Sequence, residues 1–328
     1  MSKTDKTTRA LIFGISGQDG AYLSRLLLDD GYEVHGTSRN VKPASYRNLE
    51  KLGIHDRVTL HSAAPTDFHD VEKVIERTNP QEIYNLGGPS SVALSFRQPR
   101  ETFESITLAS LNILEAIRTN DTSIRCYSAA SSECFGDTGT RPANEQTPFN
   151  PLSPYAEAKA AAFRRTAKYR EDFGLFASSG ILFNHESPLR PEGFVTHKII
   201  GGAARIAAAG SGSLQLGNLD IQRDWGWAPE YVDAMRRMLQ KDQPDDYVIA
   251  TEKSCSLKDF AAAAFAHFGL DWRDHVESDP ALFRPTDIAI SAGDASKAHT
   301  QLGWSAQTHM EGVVKLMAEA LTEKDTHP

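Results

Sequence analysis

Four apolar residues, Ala10-Leu11-Ile12-Phe13, run directly into Gly14-x-x-Gly17-x-x-Gly20, and a helical pattern follows from about Ala21 to Asp30. A short buried strand, a glycine-spaced turn and a helix, in that order, leave few folds open. Glycine permits the tight turn and lets the backbone approach a pyrophosphate closely. The helix N-terminus then offers oriented N–H groups and a partial positive charge. Glycine spacing alone also describes a turn with no ligand. Its place in the first strand–helix unit is what favours a nucleotide.

The same alternation continues. Gly31 sits at a helix-stop position. Strands are expected at Glu33–Thr37, Val58–Leu60, Glu82–Leu86, Arg125–Ser128 and Phe176–Leu182. Helices are expected over 67–78, over 100–118 on the spacing of Leu108, Leu111 and Leu114, and over 154–173, stopped by Gly174. Strands alternating with helices imply βαβ units, so the expected class is α/β, a Rossmann-like doubly wound parallel sheet. After Asn184 the rhythm breaks, and Pro188, Pro191, Pro229, Pro244, Pro280 and Pro285 punctuate shorter elements. Helices are expected at 194–209, 230–240, 256–268 and 309–322, with strand-like pieces at 214–217 and 246–250. The 328 residues suit about two domains. The expected division is 1–182, a nucleotide-binding domain that also carries catalysis, and 183–328, a smaller irregular substrate-binding domain with segments free to return to the first. The polar tail Lys324–Pro328 is expected to fray.

Charge and cysteines narrow the partners. Lys and Arg number 35 against 43 Asp and Glu, a net charge of −8. That disfavours nucleic acid and anionic membrane surfaces, while leaving room for a local basic pocket. Three cysteines, Cys126, Cys134 and Cys255, are an odd number without CxxC spacing. Neither a disulfide scaffold nor a metal site is expected, and a cytoplasmic location is. No apolar run approaches the ~20 residues of a membrane span, and the polar start MSKTDKTTR carries no signal-peptide pattern.

Two constellations carry chemistry. The second strand ends in Gly36-Thr37-Ser38-Arg39-Asn40, with no acid for a ribose 2′-hydroxyl and with Arg39 able to pair with a 2′-phosphate. NADP is therefore expected over NAD. Tyr155 and Lys159 stand one helical turn apart, and a nearby ammonium lowers a phenol's pKa towards working pH. The pair follows a strand whose end carries Ser131-Ser132-Glu133.

With the glycine turn, this order resembles the extended short-chain dehydrogenase/reductases, and within them the GDP-mannose 4,6-dehydratase family. The resemblance spans nearly the whole chain. It rests on GISGQDG (14–20), Ser131-Ser132-Glu133, Ser153-Pro154-Tyr155-Ala156-x-x-Lys159 and Gly180-Ile181-Leu182-Phe183-Asn184-His185-Glu186-Ser187-Pro188. Phe194-Val195-Thr196-x-Lys198, Leu216-Gly217-Asn218-x-Asp220-x-x-Arg223-Asp224-Trp225-Gly226 and Phe283-Arg284-Pro285 complete it.

The resemblance implies a catalytic group of Ser131, Glu133, Tyr155 and Lys159. It implies NADP contacts at Gly14, Ser16, Gly17, Gln18, Asp19, Gly20, Arg39, Leu86, Gly87, Ser90, Tyr155, Lys159, Leu182, His185 and Arg190. It implies GDP-sugar contacts at Ser90, Ser132, Asn184, Thr196, Lys198, Gly217, Asn218, Arg223, Arg284 and Asp287. The forked donors Arg223 and Arg284 suit a diphosphate. The implied reaction removes water from GDP-mannose and gives GDP-4-keto-6-deoxymannose, with hydride passing internally from C4 to C6. Glu133 is the second acid–base group that a reductase or epimerase would not need; capping the following helix is its alternative use. A homodimer or homotetramer is implied, with the Ala158, Ala161 and Ala162 face of the Tyr155 helix as one packing surface.

Departures from the family pattern cluster near the expected ligands. Ser131 stands where Thr is usual, Pro89 and Ser91 where bulkier residues are, Phe135 for a common Tyr, and Asp287 for Glu. His61-Ser62-Ala63-Ala64 lacks a Gly-Asp pair, and the stretch after Arg39 lacks an Arg-Arg-Ser-Ser run. A 4,6-dehydratase of a related GDP-hexose or GDP-heptose, a GDP-sugar 4-ketoreductase or epimerase, and a non-catalytic nucleotide-sugar sensor stay open as alternatives.

Overall fold

A computed structural model describes residues 7–41, 45–283 and 286–322. Arg284, Pro285 and the tail Lys324–Pro328 lie outside the described residues. In chain order the first elements are β1 (Arg9–Phe13), α1 (Gln18–Asp29), β2 (Glu33–Ser38), α2 (Arg47–Lys51), β3 (Thr59–Ser62), α3 (Phe68–Thr78) and β4 (Glu82–Asn85). Then come α4 (Val92–Arg97), α5 (Pro99–Phe103), α6 (Ala109–Asn120), β5 (Arg125–Ser131), α7 (Pro154–Phe173), β6 (Ala177–Leu182), β7 (Asn184–Glu186) and α8 (Val195–Ala209). The rest are β8 (Leu214–Leu216), β9 (Gln222–Trp227), α9 (Ala228–Leu239), β10 (Tyr247–Ile249), β11 (Ser254–Ser256), α10 (Leu257–His267), β12 (Val276–Ser278), β13 (Ile290–Ser291) and α11 (Met310–Thr322). Among the described residues no helix is long and apolar enough to cross a membrane.

The main sheet runs β10-β6-β5-β4-β1-β2-β3, and the pairs β1–β2, β1–β4, β2–β3 and β4–β5 are parallel. Ala10, Leu11, Ile12 and Phe13 are fully buried, as a strand covered on both faces requires. Phe13 pairs with Thr37 on one side and Asn85 on the other. The strand order reverses at β1, so the glycine turn leaves the sheet at its topological switch point, where open α/β sheets take their ligands.

The stretch read as one helix over 100–118 is instead interrupted. Helix α5 passes into a π-turn, Glu104–Leu108, before α6 begins. Leucine spacing survives on either side of such a turn, so periodicity does not see it. Thr107 in the π-turn donates to the Ala158 carbonyl of α7 at 2.9 Å. π-turns inside helices gather at functional elements, and this one lies on the helix that carries Tyr155 and Lys159.

The chain divides into two compact units, and neither is continuous in sequence. Unit 1 is 1–134, 151–181 and 232–247; unit 2 is 135–150, 182–231 and 248–328. Unit 1 buries Leu11, Phe13, Val71, Ile75, Ile113, Ile117 and Cys126 in one cluster. Its returning segment is tied in by Asp246, which meets Arg170 through both oxygens at 3.0 and 2.6 Å and accepts the Ser179 N–H at 2.9 Å.

Unit 2 centres on β9, which pairs with β7 and β13 in parallel and with β11 antiparallel. None of these strands, nor β12, was legible by alternation, because most are two or three residues long. Trp225, Ile199, Ile200, Phe260, Phe265 and Val313 form the core of this unit. All four tryptophans, Trp225, Trp227, Trp272 and Trp304, belong to it.

Candidate active site

In unit 1 the glycine turn is built by steric necessity. Gly14 has φ +90°, and a Cβ there would lie 2.8 Å from the Leu86 carbonyl. Gly20 brings α1 so close that a Cβ would lie 2.6 Å from Ile15 Cα. The Gly17 N–H closes the turn on the Gly14 carbonyl at 3.1 Å. Gly17 is the N-cap of α1 and gives no side-chain cap. Glycine at the N-cap brings no side chain over the first turn of α1, and a helix start of this kind suits a phosphate. Ser16 holds α2 by accepting Asn48 Nδ2 on its carbonyl at 3.1 Å. Arg39 is exposed just beyond β2. Leu86 and Gly87 are half-buried after β4, and Ser90 is exposed. Ser91, one of the departures, is the N-cap of α4, its Oγ accepting the Leu94 N–H at 3.2 Å.

The catalytic candidates occupy the end of β5 and the start of α7. Ser131 ends β5 and accepts the Glu133 N–H on Oγ at 3.3 Å. Glu133 lies half-buried in the 3-10 turn Ser132–Phe135, rather than at the start of an α-helix. Ser153 caps α7 by accepting the Ala156 N–H at 3.1 Å, and Pro154 occupies the first turn, where its missing N–H is harmless. Tyr155 and Lys159 are each 8% exposed, one turn apart. Lys159 Nζ donates to the Ala129 carbonyl of β5 at 2.7 Å. Burial lowers the Lys159 pKa to about 8, against the opposing pull of Cys134 and Asp19. The ammonium is thus poised near neutrality, and Asp19 of the glycine turn acts on its charge.

In unit 2 several of the remaining candidates are held by protein partners. Leu182 is 7% exposed, and Asn184 is half-buried on β7. His185 donates through Nδ1 to the Phe183 carbonyl at 2.7 Å and stacks on Tyr231 at 4.6 Å. Thr196, only 1% exposed, donates to Glu186 at 2.8 Å. Arg190 lies 3.3 Å from the same carboxylate. Lys198 is exposed, with Nζ on the Gln215 carbonyl at 2.6 Å. Gly217 accepts from Ser278 Oγ at 3.0 Å, and Asn218 Oδ1 accepts the Asp220 N–H at 3.0 Å. Arg223 is 5% exposed and spends Nη1 on the Gln222 and Ile288 carbonyls, both at 2.8 Å. Asp287 is half-buried.

Three features escaped the sequence. The Ala129 carbonyl anchors Lys159, and no backbone acceptor leaves a mark in sequence. Glu186 stands within a motif, yet its partners are set by tertiary packing. Asp224, next to Arg223, is fully buried and accepts the Thr251 N–H at 2.9 Å. Burial raises its pKa to about 7 despite N–H donors at Thr251, Glu252 and Lys253.

A sheet that reverses at a glycine turn, with Tyr155 one turn before Lys159 on the helix after β5, defines the short-chain dehydrogenase/reductase class. Solved structures share the fold. UDP-glucose 4-epimerase of Thermotoga maritima matches with a TM-score of 0.85 at 19% identity, covering 97% of this chain and 99% of that one. dTDP-glucose 4,6-dehydratase of Bacillus anthracis matches at 0.84 and 17% identity, covering 98% of each chain. Sequence relatives narrow the class. GDP-mannose 4,6 dehydratase 1 of Arabidopsis thaliana is 44% identical over 320 residues, covering 94% of this chain and 88% of that protein. The GDP-mannose 4,6-dehydratase of Sinorhizobium fredii is 44% identical over 323 residues, covering 91% and 92%. The family model for GDP-mannose 4,6 dehydratase matches residues 11–317. The chain belongs to the GDP-mannose 4,6-dehydratase family of hydro-lyases.

Proposed function

We propose that the chain removes water from GDP-mannose to give GDP-4-keto-6-deoxymannose, with NADP as a resident cofactor regenerated in each turnover. The observation that carries this reading is the arrangement around Lys159: a buried ammonium on α7, one turn from Tyr155 and anchored to β5, the strand that ends in Ser131 and leads into the turn bearing Glu133.

The uncapped first turn of α1 would hold the pyrophosphate, and Arg39 the 2′-phosphate that favours NADP over NAD. A nicotinamide held there would supply the hydride acceptor for C4 of the sugar and the donor for C6. Tyr155 takes the proton of the 4-hydroxyl, and the Lys159 ammonium stabilises its phenolate. Ser131 hydrogen-bonds the oxygen that becomes the ketone. The ketone acidifies the C5 hydrogen, and Glu133 carries that proton to the departing C6 hydroxyl, which leaves as water. Arg223, Lys198 and Asn184 are the GDP-side contacts in this reading; Arg284 belongs with them by sequence.

Incubation with GDP-mannose, without and with added NADP+, followed by mass and NMR analysis, tests the proposal. The expected product has lost one water with no net NADPH formed. Unchanged GDP-mannose under both conditions would refute it. Glu133→Gln is expected to keep cofactor binding and abolish elimination, and unchanged turnover would remove Glu133 from the mechanism.

A further inference from the structure

One buried carboxylate joins two side chains to which the family resemblance gives different ligands, NADP for Arg190 and the GDP sugar for Thr196. Glu186 ends β7 at 2% exposure. Its Oε2 accepts from Thr196 Oγ1 at 2.8 Å, at the first turn of α8. The same oxygen lies 3.3 Å from Arg190 Nε, an ion pair whose alignment falls short of a hydrogen bond. The guanidinium also lies 3.9 Å from the centre of the Phe194 ring. Carboxylate and ring together fix its plane. Among the described residues, no protein acceptor pairs with Arg190 Nη1 or Nη2. A guanidinium held at one edge, with no acceptor among the described residues at its other two nitrogens, is preorganised for an anion.

We infer that Glu186 is a positioning residue that couples the two ligand contacts, so that NADP at Arg190 and the GDP moiety at Thr196 tighten each other's binding. This rests on the proposed function for the identity of both ligands. An anion drawn onto Arg190 changes the pull on Oε2, and Oε2 sets where the Thr196 hydroxyl points. An apolar residue at 186 would leave the half-buried Arg190 without its carboxylate, and a carboxylate serving Thr196 alone would not need Arg190 beside it. Coupling of this kind is reciprocal: each ligand must change the affinity of the other by the same factor.

The test uses the full chain and GDP, a probe that is not turned over. Isothermal titration gives the GDP affinity without and with saturating NADP+. The expected ratio is about 5- to 30-fold, within the usual span of coupling between sites. In Glu186→Gln, which keeps an acceptor for Thr196 but loses the charge facing Arg190, the ratio is expected to fall to within about twofold. Thr196→Val, which leaves the Glu186–Arg190 pair intact, is the second variant, in case the first fails to fold. It should lose the ratio while NADP+ affinity without GDP stays at the wild-type value. A wild-type ratio of one overturns the inference. So does a variant that weakens both affinities and preserves the ratio, because a merely structural residue would behave so. If the wild-type chain bound neither NADP+ nor GDP, the proposed function itself would fail.

Discussion

Two buried ionisable residues push the chain's stability in opposite directions as pH changes. Lys159 titrates at about 8 in the folded chain against an ordinary 10.5. Between those values the unfolded chain holds one proton more, so the Lys159 contribution makes stability rise with pH, by up to about 1.4 kcal/mol per pH unit. Replacing Lys159 with Met should abolish that increment in urea unfolding compared at pH 8 and 10; an unchanged slope would contradict the assignment. Asp224 is the mirror case, at about 7 in the folded chain against 3.8. Below the lower value both states are protonated. As pH rises towards 7, the unfolded chain loses its proton first, and the stability carried by the folded state's retained proton is lost. Asp224→Asn keeps an oxygen for the Thr251 N–H and cannot ionise. It should flatten the decline between pH 4 and 7 in thermal melts and be at least as stable as the wild type at pH 7.5. A decline of wild-type steepness would show that Asp224 is already ionised throughout.

At the scale of elements, what could be read from sequence follows from burial and length. β1 is an apolar run, β2 and β4 to β6 recur in alternation with helical stretches, and glycines stop α1 and α7. These signals are local, and the elements appear within a few residues of expectation. The π-turn at Glu104–Leu108 and the short strands around β9 depend on partners distant in sequence, so no local pattern announces them. The candidate site divides the same way. Tyr155 and Lys159 were legible because a helix makes residues four apart neighbours. That Thr196 turns its hydroxyl to Glu186, and Lys198 its ammonium to Gln215, was not. Helix α7 has a testable dependence on its cap. Ser153→Ala removes the acceptor for the Ala156 N–H and is expected to cost about 1 kcal/mol in urea unfolding followed by far-ultraviolet circular dichroism. A change near zero would mean that water replaces the hydroxyl fully.

The whole molecule has a seam that a single cut cannot follow. A fragment ending at residue 182 retains most of unit 1 but lacks 232–247. It would lose Asp246 from Arg170, Gln240 from Glu82 at 2.7 Å, and the Leu239 and Lys241 carbonyls from Arg125 at 2.6 and 2.7 Å. The Arg170–Asp246 pair is largely shielded from water, so losing the carboxylate leaves a poorly solvated guanidinium without its partner and destabilises the unit. The fragment 1–182 is therefore expected to show no cooperative thermal transition, and a sharp, reversible melt would refute the dependence on the returning segment.

The placing of all four tryptophans in unit 2 gives the chain a built-in optical label. Excited at 295 nm, the protein emits from that unit alone, and unit 1 contributes only tyrosine light at shorter wavelengths. Trp225 and Trp304 are nearly sealed from water, so their emission should begin blue-shifted and move red when that unit opens. An unfolding curve read by tryptophan emission would then follow unit 2, and one read by the tyrosine signal would be weighted to unit 1, which holds every tyrosine but Tyr231, without a dye or an engineered reporter.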